Sequence, residues 1–255
     1  MIRSMTKRFA TLLFAVIASI CVVLPSQALD DSEKEELGAF IREYLIANPE
    51  ILFEVQKAYE AKQEILQKEK SKDIIANASD AIFNSPNNVI LGNPEGEITI
   101  VEFFDYNCGY CKRALKDMED ILANNSDVRF VLKEFPILGE DSVAAHRVAG
   151  ALHIVAPEHY AEFHRSLLGG HGRANEESAM EIALSLGVDE DALKAAMDDP
   201  SIEQGYRETF QLADMLGISG TPSYVVGDET VFGAVGVQQL ASKIENVRNC
   251  DSATC

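Results

Sequence analysis

Basic residues are scarce in this chain: 22 Lys and Arg stand against 41 Asp and Glu over 255 residues, a formal net charge of −19. So acidic a surface argues against nucleic acid and anionic membranes as partners and favours solubility through a solvated acidic face. Long apolar runs are also missing. The one candidate, Ala10 to Leu24, spans 15 residues, whereas a membrane-crossing helix needs about 20. Arg3, Lys7 and Arg8 precede it and Pro25-Ser-Gln-Ala28 follows it, with small residues three and one positions before a cut after Ala28. This reads as a secretory signal over residues 1–28, with an uncleaved anchor as the alternative. Internal repeats and low-complexity tracts are absent. Cysteine is sparse: Cys21 leaves with the signal, and Cys108, Cys111, Cys250 and Cys255 remain. An even count in an exported chain permits disulfides.

The remaining 227 residues suffice for one sizeable core and an appendage. From Asp30 to Phe83 the composition is helical and charged. Leu37, Phe40, Ile41, Tyr44 and Leu45 form an apolar stripe. Asn48-Pro49 then suggests a break, with Asn48 capping a second helix that carries Leu52, Val55, Tyr59 and Leu66. The segment has little to pack on locally. We therefore expect a helical arm over 29–84 that joins copies of the chain, with folding back on its own domain as the alternative.

Turn clusters at Ser85-Pro-Asn-Asn88 and Gly92-Asn-Pro-Glu-Gly96 place the start of the main domain near 84–97. Ile98-Thr-Ile-Val-Glu-Phe-Phe-Asp-Tyr-Asn-Cys108-Gly-Tyr-Cys111 then reads as strand, turn and helix start, followed by a helix to Asn124 and a strand from Val128 to Phe135. Residues 142–216 hold capped helices only, with Ile202, Tyr206, Phe210, Ala213 and Leu216 on one face of the last. A hairpin at 223–232 and a helix from Val237 to Asn249 complete an α/β frame with a helical insert.

The chemistry lies in Cys108-Gly-Tyr-Cys111. A cysteine at a helix start has its thiolate stabilised by unpaired backbone N–H groups and the helix dipole. The thiolate is the attacking species in disulfide exchange, and Cys111, one turn deeper on the same face, is placed to resolve the mixed disulfide. Glu102 in its apolar strand is costly to bury as an anion, which would make it a proton donor or acceptor for Cys111. Cys250 and Cys255 read most plainly as a local disulfide, with a second redox relay as the alternative. Zinc shared among the four cysteines, or a metal site among His146, His153, His159, His164 and His171, is a weaker reading because the spacings are poor. No cofactor is expected.

Taken in order, these elements resemble the exported thioredoxin-fold oxidoreductases of the DsbA type, in which a helical domain interrupts the thioredoxin frame. The resemblance spans 90–249 and is carried by Val101 to Cys111, Lys133-Glu-Phe-Pro136 and Gly217-Ile-Ser-Gly-Thr-Pro222-Ser. Ile41 to Leu52 looks like the arm of the ScsC proteins, the copper-sensitivity suppressor subgroup, some of which are oligomeric. The resemblance implies a thioredoxin domain over 85–250 and a tail at 251–255. It implies Glu102 as the buried acid beneath the active-site helix, and Lys133 as its charge partner unless that side chain turns to solvent. Thr221-Pro222 becomes the cis-proline loop, where the residue 221 backbone pairs with substrate, and Gly109-Tyr110 the dipeptide that tunes Cys108. The implied activity is disulfide isomerase or oxidase in the periplasm, acting on protein thiols and served by a membrane redox partner. Copper binding through the same thiolates is the rival from another class.

Overall fold

The computed structural model describes residues 30–255 apart from Asn87. The signal read over 1–28 lies outside the described residues. The chain divides into two compact units, one up to Ala61 and the other from Lys62 to Cys255.

In the first unit, α1 (Asp31–Ala47) opens with a capping box, in which Asp30 and Glu33 each accept the other's backbone N–H. Asn48 closes this helix, its side-chain amide donating to the Tyr44 carbonyl at 2.8 Å, rather than opening the next. α2 runs without a break from Glu50 to Asn77. Within 30–61 the stripe residues Leu37, Phe40, Ile41, Tyr44, Leu52, Val55 and Tyr59 are exposed, and so are Ile46 and Phe53 beside them, Phe53 by 74%.

The arm expected over 29–84 is shorter as a separate body. Beyond Ala61, α2 carries Ile75 into a core with Val101, Phe103 and Leu216. Ser71 hydrogen-bonds Thr230 at 2.9 Å, and α3 (Ser79–Phe83) buries Ile82 completely. These contacts place 62–84 in the second unit, and helical periodicity alone does not reveal them.

The second unit is built on a five-stranded sheet in the order β1-β3-β2-β4-β5. β2 (Ile98–Phe104) lies parallel to β3 (Val128–Glu134), and α4 (Gly109–Asn124) joins them. β4 (Ser223–Val226) and β5 (Glu229–Phe232) form the expected hairpin, with β4 antiparallel to β2. β1 (Val89–Gly92), which the turn clusters hid, pairs antiparallel with β3. The insert comprises α5 (Glu140–Val155), a 3-10 turn at Pro157–His159, α6 (Tyr160–Gly169), α7 (Glu176–Ser185), α8 (Glu190–Ala196) and α9 (Pro200–Leu216). Phe210, expected inside, is 42% exposed and sets its ring against Phe135.

α10 (Val237–Cys250) covers the sheet near β2 and β4. A disulfide joins Cys250 to Cys255, and the tail it closes is pinned: Ala253 is buried, and its N–H donates to Asp228 at 2.9 Å. Gly227, before Asp228, has φ +55°, and a Cβ there would press on Val247.

Candidate active site

Strand alternation decides which β2 side chains reach the active-site helix. Glu102 and Phe104 face one side of the sheet, Val101 and Phe103 the other. After Phe104 the chain turns through Asp105, Tyr106 and Asn107 into Cys108, which is the N-cap of α4.

The Cys108 sulfur accepts from the Cys111 backbone N–H at 3.5 Å and lies 3.1 Å from the Thr221 carbonyl. Its pKa falls from the ordinary 9 to about 5. The hydrogen bond with the Cys111 thiol is the largest cause, opposed by burial and then aided by Thr221 and the backbone N–H groups of Cys111 and Tyr110. Cys111 goes the other way. Burial, its hydrogen bond to Cys108 and the charge of Glu102 hold it protonated, well above the usual thiol range.

Glu102 is raised to about 8, first by burial and then by the charges of Cys108 and Asp117. Tyr224, opposite Glu102 in the β2–β4 register, is raised by burial and by Glu102 and Cys111. The peptide bond before Pro222 is cis, and the Thr221 carbonyl faces the Cys108 sulfur. Between the cysteines, Tyr110 is 59% exposed with the Arg113 guanidinium 4.2 Å above its ring.

Lys133 does not partner Glu102. It pairs with Phe103 in register and so emerges on the opposite face, donating to Asn88 Oδ1 at 2.6 Å and the Ala81 carbonyl at 2.7 Å. It is not turned to solvent either: burial lowers its pKa to about 8. The lysine of Lys133-Glu-Phe-Pro136 therefore anchors the segment from α3 to β1.

Sequence reasoning overlooked the residues that hold Cys108 in place. The buried Asp105 carboxylate accepts from the N–H groups of Asn107, Ile137 and Leu138 and from the Ser142 hydroxyl, all within 3.0 Å. Asn107 exchanges two hydrogen bonds with the Ala174 backbone, at 2.8 Å each. Asp105-Tyr-Asn107 is a recognisable Asx turn, but its partners at 142 and 174 are distant in sequence. Two insert histidines also pack here. His146 and His164 are buried against Phe104 and Tyr106, and burial drives His164 down to about 3. Among the described residues no group of three His, Cys, Asp or Glu side chains is arranged to hold a metal.

Residues 99–245 match the DSBA-like thioredoxin domain, and residues 33–64 match the N-terminal domain of the copper resistance protein ScsC. A thioredoxin-like oxidoreductase from Silicibacter pomeroyi is 42% identical, covers 67% of this chain and 98% of its own, and superposes with a TM-score of 0.64. A Proteus mirabilis ScsC mutant is 26% identical, covers 88% of this chain and 99% of its own, and gives 0.63. The thiol:disulfide interchange protein DsbA of Bordetella pertussis is 28% identical over 135 residues, which are 52% of this chain and 64% of that protein. The match to the Na(+)/H(+) antiporter NhaA 3 of Salinispora tropica, 23% identical over 155 residues, takes in 61% of this chain and only 24% of that protein.

Proposed function

Because the chain belongs to the family of the DSBA-like thioredoxin domain, we propose that it is an exported thiol-disulfide oxidoreductase that exchanges disulfides with protein thiols. The observation that carries this reading is the opposite displacement of the two thiols, Cys108 toward thiolate and Cys111 away from it. In isomerisation the Cys108 thiolate opens a substrate disulfide and a different substrate thiol then displaces it, leaving the enzyme reduced. In the reductase direction the same attack on a substrate disulfide comes first. A bond forms between Cys108 and one substrate sulfur, and the other leaves as a thiolate. Cys111 then attacks the Cys108 sulfur while Glu102, whose pKa near 8 lets it change charge at neutral pH, takes the Cys111 proton. The second substrate thiol leaves and the Cys108–Cys111 disulfide remains. The oxidase direction is the same path reversed. The Thr221 backbone beside Cys108 offers the substrate chain an edge to pair with.

A Cys111→Ser variant tests the reading: a mixed disulfide between Cys108 and a protein substrate should accumulate, because nothing resolves it. Failure to trap one, with Cys108 still alkylated readily by iodoacetamide, would count for copper binding by the same thiolates. The reduction potential sets the direction. A value near about −120 mV marks a donor of disulfides, and one nearer about −200 mV marks an isomerase kept reduced by a membrane partner.

The exposed stripe on residues 30–61 supports assembly of several copies through the arm. Replacing Ile46 and Phe53 together by Glu should lower the mass seen by light scattering to that of one chain. An unchanged mass would remove the arm from the interface.

A further inference from the structure

Glu134, Tyr160, Tyr106 and His146 contact one another in turn, with Tyr106, two residues before Cys108, taking part through both its hydroxyl and its backbone N–H. Glu134 Oε1 accepts from the Tyr160 hydroxyl at 2.5 Å, and the Tyr160 and Tyr106 hydroxyls are 3.2 Å apart. The Tyr106 backbone N–H donates to His146 Nε2 at 3.3 Å. His146 Nδ1 returns to Glu134 Oε2, also at 3.3 Å. His146 is wholly buried.

Accepting at Nε2 requires that this nitrogen carry no proton, so the neutral ring holds its hydrogen on Nδ1, toward the carboxylate. Yet Nδ1 completes no hydrogen bond. It faces Glu134 Oε2 within reach but without the alignment of a hydrogen bond. Such an arrangement orients the imidazole without saturating it. Other titratable groups surround the pair: Tyr206 from α9 and His153 from α5 toward Glu134, and His164 from α6 toward His146.

Resting on the redox reading above, we propose that His146, oriented by Glu134, is a positioning residue that sets how strongly Cys108 is held as thiolate. Asp105 and Asn107 are saturated by partners of their own. The Tyr106 N–H depends on His146. The carbonyl of the same Asp105–Tyr106 peptide accepts from the Cys108 N–H at 3.0 Å, so a peptide that loses the His146 acceptor and rotates pulls directly on the Cys108 backbone. The Cys111 N–H reaches the Cys108 sulfur at 3.5 Å, an ordinary separation for sulfur, and a shift of Cys108 that misaligns this donor weakens its hold on the thiolate. Tyr106 is buried, so water does not replace the lost acceptor.

The experiment is a pH titration of thiolate absorbance at 240 nm, together with equilibration against glutathione, on the full chain and on three variants. His146→Phe keeps a ring of similar shape and removes the acceptor; it should leave about tenfold less Cys108 thiolate at a fixed pH below the midpoint. The Cys108/Cys111 pair should become correspondingly less oxidising, a tenfold change in equilibrium constant being about 30 mV. His146→Gln, which offers an oxygen near the Nε2 position, should stay within twofold of the parent. Tyr160→Phe, which removes one hydroxyl from the ring, should fall between them and serves if His146→Phe does not fold. If the parent shows neither an acidic thiol nor exchange with glutathione, the redox reading itself fails. If the parent shows both, and the folded variants match it within twofold or His146→Gln shifts as far as His146→Phe, His146 does not position Cys108.

Discussion

Cys108 and Glu102 respond to pH in opposite senses because one gains donors on folding and the other loses water. The Cys108 thiol is lowered to about 5, so its stabilising contribution is present above its ordinary value of 9 and is lost as pH falls through 5. Only the reduced protein has that thiolate. The melting temperature of reduced protein should therefore exceed that of oxidised protein at pH 8, and the gap should close as pH approaches 5. A pH-independent gap in scanning calorimetry would contradict this. Glu102 is raised to about 8, so its contribution is present below its ordinary value of 4.5 and is lost as pH rises through 8. Glu102→Gln should accordingly stabilise the protein at pH 9 more than at pH 5, read from urea midpoints. The same variant should slow resolution of the mixed disulfide about a hundredfold at pH 7 in rapid-quench experiments, because Cys111 loses its proton acceptor. Resolution at the parental rate would place the proton transfer elsewhere.

At the level of elements, the strands and helices from 98 to 250 were largely legible, because alternation, caps and turn glycines leave local marks. In the insert, where capped helices are expected, Asn175 and Asp189 cap α7 and α8, Pro200 begins α9, and Gly217 at φ +71° closes it. The failures share a physical cause. β1 has four residues between turn clusters and is a strand only because β3 pairs with it. Lys133 is paired with Glu102 only through the resemblance: its register partner is Phe103, and its side chain leaves by the other face of the sheet into a buried site rather than into solvent. Residues 62–84 pack with the second unit through Ile75 and Ile82, whose burial no local pattern marks. The buried and the exposed apolar positions should differ sharply in energetics. Ile82→Ala should destabilise the 62–255 unit by about 2–5 kcal/mol, whereas Phe53→Ala should change its unfolding free energy by less than about 0.5 kcal/mol in urea titrations. Equal effects would contradict the division near Ala61.

For the molecule as a whole, the core of the 62–255 unit and the exposed rim of its active site are two constructions that meet at the start of α4, where Cys108 and Cys111 are themselves buried in the core. The core lies within the sheet and its helices. The nucleophile stands at a helix end, held from behind by the insert and faced by the loop before β4. Of the candidate residues, the two cysteines stand in a local motif and Glu102 in an apolar strand, whereas the Thr221-Pro222 turn is singled out by the resemblance alone. Asp105, Asn107, Ser142 and His146 were not readable, since their meaning depends on packing across more than 30 residues. Gly109 lies between these two constructions with nothing within 4 Å of where a Cβ would be, and Tyr110 beside it is exposed. Exchanging this dipeptide therefore need not disturb a packed side chain. Descendants of such a chain can drift from donor to acceptor of electrons at two positions while the fold stays under separate selection. A laboratory library confined to those two codons would explore redox set points in a background that continues to fold.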